Sequence, residues 1–180
     1  MIRQAICLIA LITYATSTSA QELIDWQEKR LTWDDFEKRN LPHSRTGAIT
    51  SSGIYFSYIE HNDGLDIIVK AQMDKSRSWV NTHSLRDEVL SHEQVHFDIS
   101  EIHARLLRQY FALNNRKSAG RNPESIYKKY INRLRRMQDD YDRQTNHGND
   151  LYMQMMWEEK IKAMLIDLEQ YSGQEMAWRQ

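Results

Sequence analysis

The sequence predicts an α+β protein: a small antiparallel sheet beside one long helix, followed by a helical second half. Two short runs of period two, one long run of period 3.6 and two further helical stripes carry that prediction. Ile54, Phe56 and Tyr58 alternate, and after His61-Asn62-Asp63-Gly64 so do Leu65, Ile67, Val69, Ala71 and Met73. This spacing predicts a β-hairpin with a Gly-bearing turn. Ser84 with Asp87 three residues later predicts a helix start in the manner of a capping box. Leu85, Val89, His92, His96, Ile99, His103, Leu106, Tyr110 and Leu113 then recur at spacings of three and four, the buried stripe of a long helix.

Asn114 to Asn122, polar and containing Gly120, predicts a loop, and Pro123 suits the first position of a second helix. That helix is striped by Tyr127, Tyr130, Leu134, Met137 and Tyr141 and ends near His147-Gly148. A third helix beginning at Asn149 or Asp150 is expected to bury Met153, Trp157, Ile161, Met164 and Leu168 and to fade at Gly173. Gln21 to Pro42 carries Trp26, Trp33 and Phe36 among charges, a docking segment whose aromatics pack but whose secondary structure has no readable period.

Composition bounds the partners. The 180 residues are 41% hydrophobic and 27% charged, with 2 Pro and 6 Gly, ordinary proportions for one folded domain over 21–180. A formal charge of -1 gives no field that would gather nucleic acid, so no nucleic-acid partner is expected. The basic run Lys128, Lys129, Arg133, Arg135 and Arg136 falls opposite its helix's apolar stripe and reads as a solvated face.

The first twenty residues differ in kind. Arg3, an apolar stretch from Ala5 to Tyr14, and the small residues Thr16 to Ala20 have the pattern of a cleavable signal peptide over 1–20, with cleavage expected after Ala20. The apolar stretch is shorter than the roughly 20 residues a membrane span needs. The expectation is a periplasmic or secreted protein with no stable membrane span in the mature chain. Cys7, the single cysteine, leaves with the signal, so any metal must be held by histidine and carboxylate. Oligomeric state is not readable.

Within the long helix, His92-Glu93-Gln94-Val95-His96 has the pattern H-E-x-x-H. Residues four apart on a helix face the same way, so both imidazoles can reach one ion. Zinc accepts neutral imidazole nitrogens, and a glutamate beside the first histidine can take a proton from an activated water. His92 and His96 are therefore candidate Zn2+ ligands and Glu93 the candidate general base. The bland alternative, two packed core histidines, suits a lone histidine better than a pair flanking a glutamate. His103 lies about 10 Å further along the axis, too far to share the ion. A third ligand must return from elsewhere. His147, at a helix end before Gly148, is the first candidate; the carboxylates of Glu101, Asp142, Glu158 and Glu159 compete with it, although Glu101 also suits an ion pair with Arg105. Tyr141 and Tyr152 are candidate donors to an oxyanion, with packing as their default role.

The run from His92 to Arg105, with Tyr141-Asp-x-x-Thr-x-His147-Gly148 downstream and Trp33-Asp-Asp-Phe36 and Ala48 to Tyr55 upstream, resembles the bacterial family catalogued as domain of unknown function 922. The resemblance implies a zincin-like fold and secreted, zinc-dependent protease activity, and it lends weight to His147. Gln144 departs from the pattern, where the family is expected to carry Glu. The reading that follows is a secreted or periplasmic zinc metallopeptidase acting on a peptide or protein substrate. The alternative is a non-catalytic zinc-binding or peptide-binding module of the cell envelope.

Overall fold

A computed structural model describes residues 22–115 and 122–179. The expected signal peptide, with Cys7, and Gly120 of the expected loop lie outside the described residues. The hairpin forms as β4 (Ser52–His61) and β5 (Gly64–Asp74), paired antiparallel from Ser52↔Met73 to His61↔Gly64. Every second residue of β5 from Leu65 to Met73 is buried, which is the alternation the sequence carries. β5 is the centre of a four-stranded antiparallel sheet. On its other edge it pairs with β1 (Leu23–Asp25) near one end and β7 (Glu175–Arg179) near the other.

Gly64 is not a turn glycine with positive φ; the turn is Asn62-Asp63, and Gly64 is needed where β7 crosses. A Cβ built on Gly64 would run into the Trp178 carbonyl oxygen and lie 2.9 Å from the Arg179 Cα, both backbone atoms. Gly64→Ala is therefore expected to cost about 1–3 kcal/mol by forcing β7 off β5. Chemical denaturation measures this, and an unchanged midpoint would show that β7 docks without that close approach.

A second, mixed sheet has the order β2-β6-β3, with β2 (Glu37–Arg39) parallel to β6 (Trp79–Asn81) and β3 (Ala48–Ile49) antiparallel to it. The expectation of one small antiparallel sheet is thus refined to one antiparallel sheet and one mixed one. In the aromatic segment before Pro42, Phe36 is buried and Trp33 stands edge-on to it at 5.4 Å.

Three helices follow: α1 (Asp87–Leu113), α2 (Pro123–Gln144) and α3 (Leu151–Asp167). The capping box expected at Ser84 does not form. Thr82–Ser84 is a short 3-10 turn, and α1 starts at Asp87 behind Arg86, whose side chain makes no cap bond. Asn122 and Asp150 cap the other two, accepting from the backbone N–H groups of Ser125 and Met153. Pro123 takes the first turn of α2 as expected. The third helix ends at Asp167, before Gly173, and the chain then returns as β7, whose Trp178 is buried against Phe111 of α1.

α1 runs through the middle of the molecule, packed against β4 and β5, α2 and α3. Being surrounded, it buries polar residues as well as its apolar stripe, and each must find partners. Gln94 accepts from the Leu31 N–H at 2.8 Å and donates to Asp98 at 2.7 Å, and Asp98 also accepts from the Trp26 indole at 2.7 Å. The expected Glu101–Arg105 pair is present at 2.9 Å, and Glu101 also takes Arg108 at 2.5 Å. These bonds hold α1 at one depth and rotation.

Candidate metal centre

α1 presents His92 and His96 on one face, one turn apart, toward the C-terminal end of α2. There Gln138 and Asp142, also four apart, face them. Asp142 Oδ1 lies 3.1 Å from His92 Nε2 and 3.0 Å from His96 Nε2, and the two imidazole nitrogens are 3.2 Å apart. Three ligand atoms thus form a nearly equilateral triangle. A tetrahedral ion with bonds of about 2.0–2.1 Å has ligand-to-ligand edges of about 3.3–3.4 Å. The triangle fits such an ion with a slight expansion. Two neutral imidazole nitrogens pointing at each other and at a carboxylate have too few protons to satisfy all three, whereas a cation among them satisfies every lone pair.

The outer partners fix the ligands. His96 Nδ1 bonds Gln138 Oε1, and Gln138 Nε2 donates back to the His96 carbonyl at 2.9 Å. A proton on Nδ1 leaves Nε2 bare toward the triangle. The Tyr141 ring stacks on His92 with centroids 4.6 Å apart and stands edge-on to His96. Tyr141 is fully buried, its hydroxyl 3.5 Å from the His92 carbonyl, so it braces the histidines from behind and does not line the cleft. Tyr152 is exposed on α3. Neither tyrosine lines the cleft.

The electrostatics favour positive charge at the triangle. Burial opposes a charged imidazole at His96, but the carboxylates of Asp142 and Glu93 outweigh it and raise its pKa. Burial likewise opposes ionisation of Asp142, and its bonds to His92 and His96 hold its carboxyl well below the usual range. Burial, then the carboxylates of Glu158 and Glu93, push the Tyr141 phenol up, keeping it neutral.

Glu93 is buried beside the triangle and lines the same cleft, and its Oε2 has no hydrogen-bond partner among the described residues. A buried carboxylate oxygen left unpaired is costly unless something else occupies its side of the cleft. The cleft encloses about 780 Å³ and is walled by β3, the start of α1 and the turn after α2. The strand at the cleft edge is therefore β3.

His147 sits in that turn, its side chain 75% exposed and its Nδ1 3.7 Å from Asp142 Oδ1, outside the triangle but on the cleft wall. Of the competing carboxylates only Asp142 meets the histidines. Glu101 pairs with the two arginines, Glu158 accepts from Ser91 at 2.6 Å, and Glu159 is exposed. Gln144, the departure from the family pattern, accepts from the Trp157 indole at 3.0 Å and so joins α2 to α3.

The turn itself is strained. Asn146, His147 and Gly148 have φ of 49°, 53° and 77°, three successive left-handed residues, a conformation that costs a non-glycine about 1–2 kcal/mol. Thr145 Oγ1 holds it by donating to the Tyr141 carbonyl at 2.8 Å and accepting from the Gly148 N–H at 3.2 Å. A Cβ on Gly148 would come within 3.1 Å of His92 Cγ and Nδ1. Gly148→Ala is therefore expected to lose about 1–2 kcal/mol of stability and to weaken zinc binding about tenfold by displacing the His92 ring. Thermal unfolding with a zinc titration checks both, and unaltered zinc affinity would confine Gly148 to the turn.

Among curated proteins and among solved structures nothing matches this chain. A family model does match, and its span takes in the second half of β5, the HExxH helix and the strained turn, which include the parts that build the triangle and one wall of the cleft. Over residues 68–148 the chain matches the model of the family described as bacterial protein of unknown function, DUF922.

Proposed function

We propose that this protein is a zinc-dependent peptidase, with His92, His96 and Asp142 as metal ligands and Glu93 as the general base. The observation that carries the proposal is the triangle of ligand atoms at 3.0–3.2 Å with an unpaired, buried Glu93 oxygen beside it. Two imidazoles and one carboxylate with a vacancy for water suit catalytic zinc. Zinc held by these three residues would supply an acidified water and polarise a carbonyl. Glu93 takes the proton of the attacking water as its oxygen bonds the scissile carbon, then passes that proton to the departing amine as the C–N bond breaks. Gln138 and Tyr141 hold the imidazoles in place, and the buried position of Glu93 keeps its carboxylate from being solvated away.

A peptide substrate is supported by β3. The Gly47 carbonyl accepts from the Asn81 N–H at 2.8 Å, so by the ladder's alternation Ala48 turns its own N–H and carbonyl to the opposite, unpaired edge. That edge borders the cleft and can accept an extended backbone. Export to the periplasm or medium remains part of the proposal, resting on the pattern of the first twenty residues. No described helix is long and apolar enough to cross a membrane.

Elemental analysis of the purified protein tests the reading. About one zinc per chain is expected. Asp142→Ala is expected to lower zinc affinity by more than the roughly 10- to 100-fold that loss of an outer partner costs, with His147→Ala retaining the ion. No zinc after reconstitution would turn the reading to a binding module, and zinc lost in His147→Ala but kept in Asp142→Ala would exchange the third ligand.

A further inference from the structure

The charges of the cleft leave a remainder. Its wall contains four fully charged side chains: Glu93, Asp142, Arg45 and Arg86. Asp142 belongs to the metal triangle and Glu93 lies beside it, and the two carboxylates together balance one divalent cation. Arg45 and Arg86 have no counterpart. Both are exposed, and neither forms an ion pair or side-chain hydrogen bond with any described residue. Most other arginines near the core are engaged, as Arg105 and Arg108 are with Glu101.

The chain brings these two together. Gly47 packs against Ser84, where an added Cβ would lie 3.3 Å from the Ser84 Cβ. Arg45 stands two residues before that contact, and Arg86 two residues after it, its N–H bonded to the Ser84 carbonyl at 2.8 Å. Both therefore rise from adjoining loops at the end of the cleft where β3 begins. Both line the same cleft as the β3 edge and the metal triangle, within reach of a peptide held there.

Building on the peptidase reading, we propose that Arg45 and Arg86 form a carboxylate-binding subsite, so that the preferred substrate is an extended peptide carrying an acidic group a few residues from the scissile bond. Guanidinium and carboxylate form paired, charge-assisted bonds, and two arginines on separate loops can take one carboxylate from both sides. The carboxylate comes from an aspartate or glutamate side chain or from a free C-terminus, and the test separates these.

The probes are four peptides of one sequence, with internal Glu or Gln and with the C-terminus free or amidated. Their binding to the zinc-loaded Glu93→Gln protein is measured by fluorescence polarisation, and their cleavage by the wild type is followed in parallel. The Glu peptides, or the free-acid peptides, are expected to bind roughly tenfold tighter than their neutral counterparts. The double change Arg45→Ala with Arg86→Ala is expected to remove that preference. Preference tracking the Glu assigns a side chain, and preference tracking the free terminus assigns the C-terminal carboxylate. Equal binding of acidic and neutral peptides, or a preference that survives the double change, overturns the subsite even if every peptide is cut. Selective binding lost in the double variant, with no cleavage of any peptide, keeps the subsite and overturns the peptidase reading.

Discussion

Glu93→Gln is expected to lower kcat/KM for peptide hydrolysis about a thousandfold, the middle of the range for removing a general base, with zinc content unchanged. Glutamine keeps the size and one carbonyl oxygen of the side chain but cannot take a proton. Glu93 lies outside the ligand triangle, so the histidines and Asp142 keep their positions, and elemental analysis separates a chemical defect from a metal defect. The buried site strengthens the expectation. No other carboxylate on the cleft wall is available to substitute, because Asp142 is committed to His92 and His96. Full activity in Glu93→Gln would remove the general base from the mechanism, and loss of both activity and zinc would make Glu93 part of the metal shell.

How much of this site the sequence discloses depends on whether a local period carries it. His92, Glu93 and His96 share one helix turn, and their spacing alone puts them on one face. The hairpin register follows equally well from alternation, since a one-residue slip would turn Leu65 to Met73 outward. The third corner of the triangle is different. Asp142 is 46 residues beyond His96, and it meets the histidines only because α2 packs back along α1. Its identity as a carboxylate on a helix could not distinguish it from Glu158 or Glu159. One signal was available: Gln138 and Asp142 are four apart beside the buried Leu134 and Tyr141, a polar pair bordering an apolar stripe and matched in spacing to His92 and His96. His147, the first candidate from its place at a helix end before Gly148 and given weight by the family resemblance, lies three residues beyond the end of α2 at Gln144 and so off the helix face that carries Gln138 and Asp142. The short strands β2, β3 and β6 have three residues or fewer, below the length at which alternation can be read, and β7 hides its single buried position, Trp178, in a five-residue run.

Glu101→Ala is expected to cost about 3–5 kcal/mol, the loss typical of removing one partner from a buried ion pair. Arg108 is the reason. Its side chain is fully buried, with Nη1 donating to the Val69 carbonyl at 2.9 Å and Nη2 to Glu101 at 2.5 Å. Without Glu101 its charge has no compensation at the centre of the molecule, between α1 and β5. Burial pushes the Glu101 carboxyl up and the Arg108 guanidinium down against their mutual attraction, which means each ion is costly to bury and tolerable only through the other. A contrast follows that a simple loss of packing does not produce. Glu101→Leu combined with Arg108→Met removes both charges, and its destabilisation is expected to fall well short of the sum of the two single changes. Urea denaturation of the four proteins checks this. Additive losses would mean that the two side chains contribute independently, with no coupling through the buried pair.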